Sequence, residues 1–157
     1  MDRAELAELH YIAPIVNLAS VLEHGILSHE RARRVEHSSV AMAEMQTRRA
    51  RVTVPGARRL HEYVNLYVNA RNPMLYKRLD AVGEICVLHI DTAVLDLPGV
   101  VVADQNAGSD YVRFAPAADG LKLIERDVVF AQYWTHGDAI QQWRHWSYPV
   151  LVALAQT

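Results

Sequence analysis

The stretch LHEYVNLYVNARNPMLY, residues 60–76, decides how the rest of this chain is interpreted. Apolar and polar residues alternate from Val64 to Asn69, and this period of two predicts a strand with one buried face. The pair Asn72-Pro73 then indicates a turn. The same stretch gathers tyrosine rings that can stack on a base, amides that can bind polar edges and an arginine that can hold a phosphate. An amphipathic strand with a turn and a nucleotide pocket therefore both remain open.

Length and composition bound the possibilities. A chain of 157 residues with 51% hydrophobic residues suits one domain with a proper core. The formal net charge of -2 means that any contact with nucleic acid must come from a local basic patch. The candidate residues for such a patch are Arg48, Arg49, Arg51, Arg58 and Arg59. A run of charges like this one also fits an ordinary solvated face.

Cysteine, histidine and hydropathy patterns exclude several classes of protein. The single cysteine, Cys86, lies in the apolar run Ile85 to Ile90, which predicts a buried structural thiol and no disulfide within one chain. The eight histidines are scattered without the spacing of a metal site, so we expect no metal. No apolar stretch approaches the roughly 20 residues that span a bilayer, and the N-terminus lacks the pattern of a secretory signal. A cytoplasmic protein is expected.

Strands outnumber long helices along the chain. Residues 10–15 predict a strand, followed by a helix capped by Asn17 that carries Leu18, Val21 and Leu22 on one face and ends at Gly25. The charged residues 29–59 predict helical pieces in an exposed insertion of the kind that often covers a substrate. Further strands are expected at 63–69, 85–90, 100–102 and 150–155, with a helical turn at 92–95, a polar turn at 104–109 and a helix capped by Asp138. Because long helices and strands do not alternate, the pattern predicts an α+β domain.

Six blocks of sequence keep the order and approximate spacing of a known family. They are HYIAPIVNLASVLEHGILS at 10–28, MAEMQTRRARVTVPG at 42–56, LHEYVNLYVNARNPMLY at 60–76, GEICVLHID at 83–91, VLDLPGVVVADQNAGSDYVRFAP at 94–116 and VFAQYWTHGDAIQQWRH at 129–145. In these blocks the chain resembles the DarT family of bacterial NAD-dependent ADP-ribosyltransferases, toxins that modify a base in single-stranded DNA and are encoded beside a reversing antitoxin.

The resemblance implies a fold and a set of partners. It implies one ADP-ribosyltransferase domain over residues 1–157 with a PARP-like central sheet and short helices, ending sooner after the last strand than family members do. It implies NAD as substrate, with no metal, and a thymine or guanine base in single-stranded DNA as acceptor. An antitoxin with ADP-ribosyl hydrolase activity would be the protein partner.

The resemblance also assigns residues to the NAD site. Tyr67, Arg71 and Met74 would hold NAD, with Asn69 nearby, through a ring face, a phosphate fork and an adaptable apolar wall. His10 could partly replace a histidine that relatives carry where this chain has Ala13-Pro14. An arginine at the catalytic centre maps onto either Arg48 or Arg49, and an arginine can position a phosphate or a carbonyl but not act easily as a base.

Candidate DNA contacts are more dispersed. They are Arg51, Asn106, Ser109, His136 and Arg144. Each also has a structural explanation, because polar turns need no ligand and a cation is favoured near the C-terminal end of a helix.

One departure from the family concerns catalysis. The family depends on a glutamate in its final strand, whereas this chain has no acidic residue after Asp138. Alignment without gaps places the missing glutamate at Val152, and alignment with a gap places it at Pro149. An engineered change, a degenerate tail and a natural relative that binds without catalysing would each produce this pattern. Two functions therefore stay open, an active DNA ADP-ribosyltransferase and a pseudoenzyme that binds NAD or single-stranded DNA.

Overall fold

The computed structural model of the protein describes residues 1–132 and 151–155. Within those residues the strands form a six-stranded antiparallel sheet in the order β3-β1-β2-β6-β4-β5. The predicted α+β class is confirmed. The strands are β1 (Leu9–Pro14), β2 (Tyr63–Tyr67), β3 (Ile85–Ile90), β4 (Val101–Ala103), β5 (Phe114–Pro116) and β6 (Leu151–Ala155).

The helices are short and lie in the connections between the strands. Six α-helices are described, namely α1 (Leu18–His24), α2 (His29–Ala32), α3 (Ala43–Arg49), α4 (Pro73–Tyr76), α5 (Ala117–Gly120) and α6 (Arg126–Val129). Turns of 3₁₀ helix cover Arg3–Glu5, Ile15–Asn17, Leu60–Glu62, Leu79–Glu84, Thr92–Asp96 and Leu121–Leu123. The expected helical pieces between residues 29 and 59 are therefore α2 and α3.

The two faces of the sheet carry different cores, as the alternation in β2 predicts. Val64, Leu66 and Val68 belong to the larger apolar cluster. Tyr63 and Tyr67 lie on the opposite face in two smaller clusters. Because successive strand residues point to opposite faces, this single strand separates a closed core from a second face on which a site can form.

The helix after β1 differs from its prediction in two details. Gly25 does end α1 with a positive φ of 76°. Asn17, however, makes no side-chain cap to α1, because its amide exchanges two hydrogen bonds with the backbone of Ser38 at 2.7 and 3.0 Å. Leu22 was expected on a buried face, yet it is 86% exposed because the helix lies at the surface.

The Asn72-Pro73 pair does not form a simple turn. Asn72 caps α4, and its side-chain oxygen accepts hydrogen bonds from the backbone of Met74 at 3.0 Å and Leu75 at 3.1 Å. Proline at the first helical position loses no hydrogen bond, which explains the order of these two residues. Asn72 is buried because it performs this structural role.

Other expectations meet mixed outcomes. Cys86 is only partly buried in β3, and its thiol donates to the carbonyl of Ala13 at 3.4 Å. The sequence analysis missed β5, α5 and α6. Among the described residues, no helix is long and apolar enough to cross a membrane. The helix expected after Asp138 lies outside the described residues.

Candidate functional site

A cavity of about 380 Å³ opens on the face of the sheet that carries Tyr63 and Tyr67. Its floor comes from β1 and β2, one wall from α3 and another from α4. Residues 35 and 37–42 and the side of α1 complete the lining. The lining residues used below are Tyr11, His29, Met45, Gln46, Arg49, Tyr63, Asn65, Tyr67, Met74 and Asn106.

Strand β2 supplies Tyr63, Asn65 and Tyr67 to the cavity. These alternate residues share one face of the strand, so the period of two that predicted a buried face also places three aromatic or amide side chains together. Both tyrosines are buried, with exposed fractions of 1% and 7%. The strand interpretation and the pocket interpretation of this stretch are thus compatible.

Helix α3 resolves which arginine meets the cavity. Met45, Gln46 and Arg49 line it and are partly buried. Residues one turn apart share a helix face, so Arg49 lies beside Met45. Arg48 points to solvent, with its side chain 61% exposed, and pairs with Glu44 at 2.9 Å. Of the two arginines expected at the catalytic centre, the structure brings only Arg49 to the cavity.

Three polar atoms of the lining are buried without a hydrogen-bond partner in the described part of the chain. They are Gln46 Oε1, Arg49 Nε and Asn65 Oδ1. A buried polar group without a partner costs roughly 1–3 kcal/mol, and native proteins contain few of them. Two acceptors and one cationic donor around one cavity therefore favour a polar ligand that carries both donors and negative charge.

Residues 38–42 are anchored at two points. Asn17, which follows β1, exchanges two hydrogen bonds with the backbone of Ser38. Arg78, which follows α4, donates from its Nε to the carbonyl of Val40 at 2.9 Å. These contacts hold residues 38–42 as a wall of the cavity. The expectation that part of the 29–59 insertion covers a site agrees with this placement.

His29 and His61 form a close pair at the side of the cavity. The rings of His29 and His61 lie 4.2 Å apart, and Nε2 of His61 is buried without a partner among the described residues. Burial lowers the pKa of both histidines, and the nearby Arg49 lowers each further by charge repulsion. His29 lines the cavity, so both rings are held uncharged next to it at neutral pH.

The loop between β4 and β5 reaches the cavity through Asn106. Asp104 at its start is buried and accepts hydrogen bonds from the backbone of Arg113 at 2.9 Å and from its guanidinium at 2.6 Å. Gly108 packs on α3, since a Cβ at that position would lie 3.3 Å from Met45. The loop is therefore closed at its base and rests on the helix that carries Arg49.

The structure separates the expected NAD-binding residues into two groups. Tyr67 and Met74 line the cavity, whereas Asn69, Arg71 and His10 are not among its lining residues. Asn69 donates to the carbonyl of Val129 at 2.9 Å, and Arg71 donates to the carbonyl of Gln132. His10 pairs with Tyr67 in the sheet, but its ring contacts Glu8 and His89 instead.

The expected DNA contacts are likewise divided. Asn106 lines the cavity, and its side chain accepts a hydrogen bond from Gly108 at 3.0 Å. Ser109 follows in the same loop, and Arg51 is exposed just beyond α3. His136 and Arg144 lie outside the described residues.

The register of β6 bears on the missing glutamate. Val152 pairs with Leu66 and Val102, which are fully buried in the larger core on the other face of the sheet. In the same register Leu151 pairs with Tyr67, and Ala153 pairs with Asn65. The assignment of the family's glutamate position to Val152 stays a prediction. Pro149 lies outside the described residues.

Asn65 belongs to the stretch in which the sequence predicted a nucleotide pocket, whereas Tyr11 and Gln46 were not assigned to a site. The closeness of Gln46 to Arg49 on α3 is a signal that could have found Gln46. Tyr11 had no such signal. Burial raises the pKa of its phenol, which keeps it protonated at neutral pH.

The described residues form an antiparallel sheet of the α+β class, with a cavity that is walled by short helices and lined by tyrosines and one inward arginine. The family described as "ssDNA thymidine ADP-ribosyltransferase, DarT" matches residues 10–146. The chain belongs to the DarT family.

Two individual proteins similar to this chain are, or contain, a DNA ADP-ribosyl transferase. A DNA ADP-ribosyl transferase of Thermus aquaticus is 30% identical over 139 residues, which cover 82% of this chain and 63% of that protein. A DNA ADP-ribosyl transferase-DNA ADP-ribosyl glycohydrolase fusion protein of Thermosipho africanus is also 30% identical over 139 residues, covering 83% of this chain and 35% of the fusion. The chain thus spans less than two thirds of the length of these two relatives.

The solved structures show the same fold. Thermus sp. 2.9 DarT in complex with ADP-ribosylated ssDNA matches with a TM-score of 0.79 and 25% identity, over 99% of this chain and 79% of that one. The same protein in complex with NAD+ matches with a TM-score of 0.72 and 23% identity, over 96% and 78% of the two chains.

Proposed function

We propose that residues 1–157 form a single ADP-ribosyltransferase domain that binds NAD in this cavity and transfers ADP-ribose to a thymidine base in single-stranded DNA. The observation that carries the proposal is the set of buried polar atoms that have no hydrogen-bond partner within residues 1–132 and 151–155, namely Gln46 Oε1, Arg49 Nε and Asn65 Oδ1. A dinucleotide offers amide and hydroxyl donors for the two oxygens and a pyrophosphate for the guanidinium.

The walls suit the remaining parts of NAD. The rings of Tyr63 and Tyr67 and the thioether of Met74 provide flat and adaptable apolar surface against which a nicotinamide or adenine ring can pack. Thermus sp. 2.9 DarT binds NAD+ in a structure with this fold, which supports the assignment. Arg71 and Asn69, which the resemblance also assigns to NAD, would contribute only after movement toward the ligand.

The proposed reaction depends on the positioning of NAD and the acceptor base more than on an acid or a base in the protein. Breaking the bond between nicotinamide and ribose builds positive charge on the sugar, which the enzyme must stabilise while it holds the acceptor base in line. Arg49 would hold phosphate, because a guanidinium stays charged at any physiological pH. It would not stabilise the sugar cation directly.

The acceptor strand would approach from the side of the β4–β5 loop. The groups available on that side are the amide of Asn106 and the hydroxyl of Ser109, both on the loop, and the guanidinium of the exposed Arg51 beyond α3. Thermus sp. 2.9 DarT is known with ADP-ribosylated ssDNA, and the family is described by its action on thymidine. These facts favour thymine over guanine as the acceptor.

The protein partner would be an ADP-ribosyl hydrolase that acts as antitoxin. The Thermosipho africanus relative combines a DNA ADP-ribosyl transferase and a DNA ADP-ribosyl glycohydrolase in one polypeptide. A transferase that modifies DNA bases is harmful unless its product is reversed, so an ADP-ribosyl hydrolase is the expected counterpart of this chain. We place the pair in the cytoplasm, where both NAD and single-stranded DNA occur.

A second candidate is a pseudoenzyme that binds NAD or single-stranded DNA without transfer. The observation that favours it is the sequence of β6, in which neither Leu151, paired with Tyr67, nor Ala153, paired with Asn65, is acidic. Loss of one preorganised electrostatic group commonly costs about a hundredfold to a thousandfold in rate. Binding would then survive while turnover falls.

One experiment distinguishes the two candidates. NAD is titrated calorimetrically into the purified chain, and the chain is then incubated with NAD and a thymidine-containing single strand, whose mass is measured. Binding with an added ADP-ribose mass supports the transferase. Binding without added mass supports the pseudoenzyme. Absence of NAD binding contradicts the transferase and also a pseudoenzyme that binds NAD.

A further inference from the structure

A cluster of three metal-ligating side chains lies on β1 and β3, away from the cavity lining. Glu8, His10 and His89 place one ligand atom each within 4.8 Å of one another. Glu8 precedes β1 by one residue, and His10 and His89 are direct cross-strand partners. Sequence spacing did not reveal the cluster because 79 positions separate the two histidines, and the strand pairing brings them together.

The carboxylate of Glu8 lies between the two imidazoles. Its Oε2 is 2.7 Å from Nδ1 of His89, and its Oε1 is 3.3 Å from Nε2 of His10. Ligands that bind zinc tetrahedrally at about 2.0–2.1 Å are separated from each other by roughly 3.3 Å. The two contacts of Glu8 are close to this separation, and the two ring nitrogens lie within 4.8 Å of each other.

The hydrogen-bonding surroundings of the two imidazoles also allow them to bind a cation, provided that each ring carries its proton on the nitrogen that faces away from it. Nδ1 of His10 has no partner among the described residues and can carry the ring proton, which leaves the lone pair on Nε2. His89 is 63% exposed, so its Nε2 can carry the other proton toward solvent.

We propose that Glu8, His10 and His89 bind a divalent transition-metal ion, with zinc as the best fit, and that the ion fastens β3 to β1. Two imidazole nitrogens and one carboxylate oxygen form a ligand set that zinc accepts, with water in the fourth position. Because β3 is an edge strand of the sheet, a cation shared between it and β1 would stabilise the edge. The proposal does not depend on NAD binding or on transfer.

The test is calorimetric titration of zinc into the full chain, freed of any affinity tag and treated beforehand with a chelator. We expect one equivalent to bind and the thermal unfolding midpoint to rise, because binding to the native state stabilises it. His89→Ala should weaken zinc binding by at least roughly a hundredfold, more than the loss of a supporting contact causes. Cobalt titration should give visible absorption bands from nitrogen and oxygen ligands in the unaltered chain only.

Matched variants exclude other histidines. His24→Ala removes a partly exposed imidazole that pairs with Glu23, and it should leave zinc binding unchanged. His61→Ala removes one ring of the other close histidine pair and should also leave it unchanged. Absence of zinc binding, binding that persists in His89→Ala, or loss of binding in His61→Ala would each overturn the assignment. Circular dichroism confirms that every variant is folded.

Discussion

Asp104 and Arg113 close the base of the β4–β5 loop through two hydrogen bonds on one carboxylate. One oxygen accepts from the backbone of Arg113 at 2.9 Å and the other from its guanidinium at 2.6 Å. The carboxylate is almost fully buried, whereas the arginine side chain is 67% exposed. Asp104 is therefore the buried member of the pair, and its loss removes the acceptor of a part-buried backbone N–H.

Removal of this carboxylate should loosen the loop. We expect Asp104→Ala to lower the free energy of unfolding by about 1–3 kcal/mol, because the backbone N–H of Arg113 loses its buried acceptor. Urea unfolding measures the change. Asp110→Ala is the control in the same loop, since Asp110 is exposed, and it should change stability by less than about 0.5 kcal/mol. Equal losses in the two variants would show that the Asp104 contacts do not stabilise the loop.

The two neighbouring arginines of α3 should differ sharply in their effect on NAD. Arg49→Ala removes a charged donor from the cavity and should weaken NAD binding roughly tenfold to a hundredfold. Arg48→Ala removes only an exposed pair with Glu44, worth about 0.3–0.5 kcal/mol of stability, and should leave NAD affinity unchanged. Calorimetric titration of both variants measures this. A larger loss in Arg48→Ala would reverse the assignment.

The register of β6 predicts where a carboxylate can be added. Val152→Glu places a charge at a position paired with two fully buried core residues, and it should cost about 3 kcal/mol or more of stability. Ala153→Glu adds the same group at a position paired with Asn65 on the cavity face and should cost clearly less. If the missing carboxylate limits transfer, Ala153→Glu should also raise the rate at which single-stranded DNA is modified by about a hundredfold.

Denaturant unfolding and DNA mass analysis on the same two variants check this. Similar destabilisation by both substitutions would contradict the assignment of faces. A stable Ala153→Glu variant with no gain in transfer would show that this position cannot supply the charge the reaction needs.

The His29–His61 pair should make stability depend on pH. Their native pKa values lie below the ordinary value of 6.5, so the unfolded chain takes up protons first as the pH falls. Stability is therefore unaffected well above pH 6.5 and decreases as the pH falls through that value and below it. The carboxylate of Glu8 contributes only at lower pH, since its pKa is lowered from 4.5.

Thermal unfolding between about pH 8 and pH 5, with a chelator present, measures this dependence. His61→Gln should flatten it by removing one of the two repelling rings. His24→Gln, which alters a partly exposed histidine, should leave it unchanged. An unaltered pH dependence in His61→Gln would rule out the pair as its origin.

The sequence predicted local features better than it predicted which residues meet. Alternation in β2 correctly gave a strand with two different faces. The choice between Arg48 and Arg49 was left open by the sequence, and only the structure shows that Arg49 lines the cavity while Arg48 is exposed. Asn72 and Asn69 looked like ligand contacts because amides can serve either role, but their hydrogen bonds to backbone are visible only in three dimensions. The choice between Val152 and its neighbours could not be made from an alignment, because a shift of one residue in a strand reverses its face.

The position of β6 has a consequence for how the molecule is made. In the described pairings, β1, β2 and β3 form one ribbon and β4 and β5 form another, and β6 joins them by pairing with β2 and β4. Both ribbons are translated by residue 116, well before β6. A ribosome-bound chain therefore cannot join the two ribbons into one sheet before β6 has been translated. The sheet becomes continuous only when the last described strand enters between β2 and β4.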